Sequence, residues 1–263
     1  MRYLLLILLG LTCICPAKAQ TDFCSIRNTS FKVGETITLK VYYNLGKMFI
    51  GAGEATFNVG LERYANRDVY HIVGEGKTYK AYDWFFKVRD RYETYLDTAT
   101  MQPLKFVRNV SEGGYKILNN VVFNQAGHQA ISTNGTFTVP PCIQDIISSI
   151  YYMRNIDFSK YNEGDKIPFN MFLDDQVYNV YIRYQGKEDI KTKFGTFRAI
   201  KFKPLLIKGT VFEGGEKMTV WVSDDANKVP LRIESPISVG SVVVDMVNYG
   251  NLRYPFTSLI KER

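Results

Sequence analysis

The chain has 263 residues, 46% of them hydrophobic and 22% charged, with a net charge of +7. That is long and apolar enough to bury a sizeable core, which excludes a disordered polymer. The basic excess is spread along the chain rather than gathered in a block, so no nucleic-acid partner is expected.

The first residues, MRYLLLILLGLTCICPAKAQ, join one basic side chain, a short apolar run and Ala17-Lys18-Ala19. This is the pattern of a secretory signal peptide over residues 1–19, cleaved after Ala19, and it places the mature protein in the periplasm. The run is too short to favour a membrane span, and no later segment is longer, so the chain is expected not to span a membrane. Cys13 and Cys15 follow Thr12 and Ile14 rather than a small residue, which disfavours a lipoprotein. Loss of Arg2 and Lys18 lowers the charge to +5, since 33 − 2 − 26 = 5. Two of the four cysteines leave as well. Cys24 and Cys142 remain, and an oxidising compartment favours their pairing over two free thiols.

From there to the C-terminus the dominant period is two. The segments ETITLKVYYNL (35–45), GEATFNVGLERY (53–64), DVYHIVGEGKTYKAY (68–82), VYNVYIRYQG (177–186) and SVVVDMVNYGNLRY (241–254) alternate apolar or aromatic with polar residues. Alternation rich in β-branched and aromatic residues predicts half-buried antiparallel strands. Turn signals such as Glu112-Gly113-Gly114 and Asp224-Asp225-Ala226-Asn227 separate them. About fourteen strands result, enough for a large curled sheet, an open barrel or two packed β-halves. Within HIVGEGKTY, Gly76-Lys77-Thr78 copies the tail of a phosphate-binding loop. His71 stands where the first glycine is needed and the alternation continues as strand, so no nucleotide site is read there.

One segment breaks the pattern. In VPPCIQDIISSIYYMRN (139–155), Ile143, Ile146, Ile147 and Ile150 fall at i, i+3, i+4 and i+7, predicting a helix over about 143–154. The two flanks echo each other: FKVGETITL (31–39) and YNEGDKIPF (161–169) share aromatic-x-x-Gly-acid-x-Ile, with Gly34 matching Gly164 and Ile37 matching Ile167. Residues 20–263 therefore read as a single β-rich domain or as two related halves, about 31–138 and 161–254, joined by the helix.

Catalytic signatures are missing. His71 and His128 are the two histidines, neither beside a second ligand at metal spacing, and no Gly-x-Ser-x-Gly elbow occurs. No catalytic residue, metal or cofactor is assigned. Asp83, Asp90, Glu93, Asp174 and Asp224 are the carboxylates that a hydrolase of envelope glycan or peptidoglycan would have to converge. The aromatic residues, 18 Tyr and 17 Phe against 2 Trp, concentrate in TYKAYDWFFKVRDRYETYL (78–96). There Tyr79, Tyr82, Trp84, Phe85 and Phe86, with Tyr151 from the helix, are the candidate wall of a ligand groove, next to Lys80, Lys87, Arg89 and Arg91. The partner would be an envelope lipid, a glycan or another protein; ordinary core packing is the competing account of the same residues.

The run MTVWVSDDANKVPLRIESPISVGSVVVDMVNY (218–249), together with YLDTATMQPLKF (95–106) and QDIISSIYYMRN (144–155), resembles the exported bacterial proteins grouped as domain of unknown function 3108. The likeness covers most of the mature chain. It implies a mainly antiparallel β-protein with a short internal helix, and it implies no activity and no catalytic residues. The leading expectation is a non-enzymatic exported β-protein, with the hydrolase as its alternative.

Overall fold

A computed structural model describes residue 24 and residues 26–45, 48–84, 86–207, 214–237 and 240–262. The signal segment 1–19 and Phe85 lie outside the described residues. Eight strands come first: β1 (Thr36–Leu45), β2 (Met48–Tyr64), β3 (Arg67–Thr78), β4 (Arg89–Asp97), β5 (Pro103–Glu112), β6 (Tyr115–Asn124), β7 (Gln129–Ser132) and β8 (Gly135–Thr138). Helix α1 (Ile146–Met153) follows, then β9 (Lys166–Leu173), β10 (Gln176–Lys191), β11 (Gly195–Pro204), β12 (Thr219–Ser223), β13 (Pro230–Pro236), β14 (Ser241–Gly250) and β15 (Leu259–Glu262).

Every ladder is antiparallel, and the strands lie in the order β8-β7-β6-β5-β4-β3-β2-β1-β14-β13-β12-β11-β10-β9, with β15 on β11. Two meanders, β1 to β8 and β9 to β14, are thus sewn into one sheet where β14 pairs with β1. The sheet curls but is not closed. Its two end strands meet through side chains: Phe137 and Phe172 lie 5.6 Å apart, and Asn134 donates to Asp175 at 2.6 Å. The free edge of β9 is covered by Gln144, whose N–H and carbonyl bond Asn170 and Phe172. Covering an edge in this way blocks pairing with other chains.

The helix begins at Ile146, three residues later than its apolar spacing predicts. Cys142 has φ +59°, and Gln144 is occupied as a bridge to β9, so the chain cannot turn helical before Asp145. Asp145 is the N-cap: it accepts from the Ser148 N–H at 2.7 Å, and Ser148 Oγ accepts from the Asp145 N–H at 2.8 Å. This reciprocal capping box satisfies two otherwise orphaned donors. Ile143 and Ile147 are buried as the stripe requires, but Ile146 and Ile150 are only half-buried, and the largest buried side chains here are Tyr151 and Tyr152. The helix sits inside the curl, so more than one of its faces is covered.

Gly74 of β3 makes room for it. A Cβ on Gly74 would stand 3.0 Å from the Phe57 ring and 3.4 Å from Ile147 Cδ1, so any side chain there would force these neighbours to shift away. The main core gathers Ile72, Leu96, Phe106, Phe123, Ile147 and Phe172 around the helix. A second, smaller core joins Ile37 and Leu39 of β1 to Phe197, Trp221, Leu231 and Met246.

The echoed segments form the same turn. Gly34 N–H bonds the Val59 carbonyl at 2.7 Å, and Val59 N–H bonds the Glu35 carbonyl at 3.0 Å. Gly164 and Asp165 repeat this with Tyr184, at 2.8 and 3.0 Å. Both glycines have positive φ, +85° and +95°, where a side chain would be strained. Each turn feeds the first strand of a meander. Cys24 and Cys142 form a disulfide, with Cα atoms 5.3 Å apart, anchoring the start of the described chain to the approach to α1.

Candidate functional site

Among the described residues, α1 and the main core pack together on one side of the sheet. Asp145 is fully buried and accepts from Thr94 Oγ1 at 2.6 Å as well as from Ser148; burial raises its carboxyl to about 7. At the other end of α1, Arg154 Nη1 and Nη2 reach the Glu35 carboxylate at 2.5 and 2.9 Å, and Arg154 also donates to the Asn227 carbonyl. Its guanidinium lies 5.6 and 5.1 Å from the ring centroids of Phe31 and Tyr151. Tyr151, 1% exposed and packed edge-on against Phe31 at 4.8 Å, belongs to this core and not to a groove wall with the other aromatics. The helix turns position 151 inward, four residues after Ile147.

The remaining described aromatics of the candidate wall share one connection, residues 79–88 between β3 and β4. The sequence builds this loop tightly. Tyr79 N–H adds a rung to β2 by bonding the Ala52 carbonyl at 3.0 Å, and Lys80–Tyr82 form a 3-10 turn. Asp83 then accepts from Thr78 Oγ1 at 2.9 Å and from Arg89 Nη1 and Nη2 at 3.1 and 2.7 Å, closing the base of the loop. The Arg89 hydrogen bond holds the Asp83 carboxyl below its ordinary value. Gly113 N–H bonds the Lys87 carbonyl at 3.0 Å, and the Phe86 ring occupies the space that a Cβ on Gly113 would need. The clamped loop leaves Trp84 84% exposed and Phe86 42% exposed, while Lys80 and Lys87 also face solvent.

The structure adds neighbours that local spacing did not reveal. Lys40 Nζ lies 5.7 Å from the Tyr79 ring and 5.6 Å from that of Tyr42. Tyr42 stacks on Phe49 at 4.6 Å, and Lys193 Nζ covers both rings at 4.3 and 4.6 Å. Phe49 is 40% exposed at the start of β2. Tyr79 therefore links two aromatic–lysine groups on adjacent hairpins, in the range of cation–π attraction. The only signal for this in the sequence is the lysine and aromatic content of 40–49, which looks like ordinary strand until β2 and β3 are paired.

Beside the loop, on the outer face, lies a shallow cleft of about 320 Å³ lined by Glu54, Glu75, Lys77, Arg89, Asp90 and Arg91 among others. Its charges are already engaged: Arg91 with Glu75 at 2.7 Å, Lys77 with Glu54 at 3.6 Å, and Arg89 with Asp83. The cleft is polar where the loop tip is apolar, and Arg89 belongs to both.

The candidate hydrolase carboxylates do not converge. Asp83 is held in its loop, Glu93 bonds His71 and Arg91 on the outer face, Asp174 pairs with Arg108, and Asp224 pairs with Lys187 at 2.9 Å. Asp90 instead meets a group overlooked in the sequence, Glu112, by a direct hydrogen bond. Burial, then the charge of Asp90, raises Glu112 to about 7. This contact is closer than the roughly 5 Å between the acids of a retaining glycosidase. His71 has a carboxylate 2.7 Å from each ring nitrogen, Glu62 and Glu93, and His128 lies in the turn before β7. Among the described residues no group of three or more His, Cys, Asp and Glu is placed to hold a metal. Nor is any helix there long and apolar enough to cross a membrane.

The fold is similar to that of a β-barrel-like protein of domain of unknown function 1849 from Brucella abortus. The TM-score is 0.55 at 7% identity, over 86% of this chain and 99% of that one. A candidate lipoprotein from Parabacteroides distasonis aligns over 86% of this chain and 99% of its own, at TM-score 0.37 and 11% identity. No curated protein sequence matches the chain. The family model described as protein of unknown function (DUF3108) matches residues 28–247, across both meanders, the helix and the β14 strand that joins them; the chain belongs to the DUF3108 family.

Proposed function

We propose that this protein is an exported, non-enzymatic β-protein that binds an amphiphilic, lipid-like ligand at the rim formed by the β3–β4 connection. The carrying observation is Trp84, 84% exposed on a loop that Asp83 and Arg89 clamp. Ordering an aromatic pair before binding removes an entropic cost that a floppy loop would meet at that moment. An apolar portion of the ligand lies along Trp84 and Phe86, and its polar portion meets the exposed Lys80 and Lys87 beside them. Packing of α1 against the main core among the described residues favours the rim over the inside of the curl as the place of the ligand. Export to the periplasm rests on the N-terminal pattern and is in keeping with a Cys24–Cys142 disulfide. The paired Gly34 and Gly164 turns support two related halves within the one sheet.

The test is isothermal titration of the exported protein with a monomeric anionic lysophospholipid, alongside lipid extraction of freshly purified material. Saturable binding, weakened at least tenfold by Trp84→Ala, is expected. Absence of both co-purifying lipid and saturable binding overturns the reading. Binding of oligosaccharide in place of lipid would transfer the site to a glycan.

A further inference from the structure

Because the meander is antiparallel, the β1–β2, β3–β4 and β5–β6 connections leave the sheet at the same end. Five strand spacings separate β1 from β6, so this end is roughly 25 Å wide. An exposed aromatic close to a lysine stands at this end in each of the three hairpins, at the start of β2, in the β3–β4 connection and at the start of β6. Phe49 is 40% exposed with Lys193 over its ring; Trp84 and Phe86 stand between Lys80 and Lys87; Tyr115, 52% exposed, is followed by exposed Lys116. Phe86 ties two of the connections together through its contact with Gly113.

The acids at this end are turned to other uses. Asp83 is held by Arg89 and Thr78, and Asp90 and Glu112 are hydrogen-bonded to each other, with Asp90 also accepting from the Ser111 N–H at 3.0 Å. The rim therefore presents exposed rings and ammonium groups together. Aromatic residues settle at the headgroup level of a bilayer, and lysines beside them favour anionic lipid.

We infer that this rim docks the protein peripherally on an anionic phospholipid bilayer, with Trp84 and Phe86 inserted at the headgroup level and Lys80, Lys87 and Lys116 facing lipid phosphates. This rests on the amphiphile-binding reading and names the physical form in which the amphiphile is met. The clamp at the loop base keeps the connection from refolding as it inserts, and the rest of the sheet stays in water.

The two tryptophans make the test clean. Trp221 is buried and donates its Nε1–H to Glu188 at 2.7 Å, so a change in emission on adding vesicles reports on Trp84. The exported protein, its processed N-terminus fixed by intact mass, is mixed with phosphatidylcholine vesicles with or without phosphatidylglycerol. A blue shift and quenching by brominated acyl chains are expected only with phosphatidylglycerol, and both reverse at high salt. Lys80→Gln and Lys87→Gln should each weaken partition roughly fivefold. The double variant Trp84→Ala, Phe86→Ala should abolish it at unchanged melting temperature. No sedimentation with anionic vesicles, or sedimentation with Trp84 still water-exposed, overturns docking. If the monomeric lysophospholipid still binds while vesicles do not, only the bilayer inference falls; if neither binds, both readings fall.

Discussion

Helix α1 and the β3–β4 connection are both short non-strand segments secured by an arginine that grips a carboxylate with two nitrogens. Arg154–Glu35 does so with side chains 2% and 0% exposed, Arg89–Asp83 with side chains 37% and 24% exposed. The chemistry is alike and the consequences differ. A buried pair is costly to break because the survivor is left charged without water, whereas an exposed pair is screened and its members are readily rehydrated. The interior pair is therefore architectural. The rim pair shapes a surface loop outside the core, where alteration is expected to cost the fold little.

The comparison is broken most severely at the interior. Cys142→Ser opens a loop of 118 residues and should lower stability by about 4–5 kcal/mol on chain-entropy grounds, read as a fall in the denaturant midpoint under oxidising conditions. An unchanged midpoint would show that the crosslink adds nothing to the packing around α1. Arg154→Met, which strands Glu35, should cost about 3–5 kcal/mol. The pair Arg154→Met, Glu35→Leu should recover much of that loss if desolvation, rather than shape, is what the single variant suffers.

Acid–base behaviour sharpens the contrast. Asp145 and Glu112 are raised to about 7 by burial, above the ordinary values of 3.8 and 4.5. Between those limits the folded state holds protons that the unfolded chain has released, so these two groups make stability fall as pH rises from about 4 to about 7. Glu216, drawn down to about 2 by Arg183 and then Tyr181, acts in the opposite sense, its contribution disappearing as pH drops from 4.5 towards 2. Asp145→Asn should flatten the melting temperature profile between pH 4 and pH 7, and an unaltered slope would assign it to other groups.

At the rim the effects on folding shrink. Arg89→Gln should cost no more than about 1 kcal/mol, and Trp84→Ala should stay within about 0.5 kcal/mol, measured by denaturant unfolding. A loss of several kcal/mol from Trp84→Ala would mean that the loop is part of the fold's support, and the distinction between the two regions would collapse.

Much of the architecture was legible because a period of two is a local property. Alternation placed the strands, the isoleucine spacing located a helix, and the Gly34 and Gly164 echo marked turns whose hydrogen bonds prove to be matched. The fifteen strands among the described residues compare with about fourteen expected; strands of four residues such as β7, β8 and β15 carry too few alternations to stand out. The aromatic concentration at 79–86 was also visible, since it is contiguous. Its membership was not: Tyr151 went to the core, and Phe49 and Lys40 joined Tyr79 from strands earlier in the chain.

What the amino-acid sequence determined on its own is the half-buried strand character and the place of a short helix between the two runs of strands, each carried by a local period. Only the tertiary structure decided that Arg154 would find Glu35 across 119 residues, that Asp90 would face Glu112, and that three hairpin ends would gather aromatics beside lysines. Alternation sorts side chains onto two faces, but it does not say which strand comes to lie beside which. That depends on β14 docking against β1 and on the curl of the sheet around α1, where burial of side chains far apart in sequence selects one register from many.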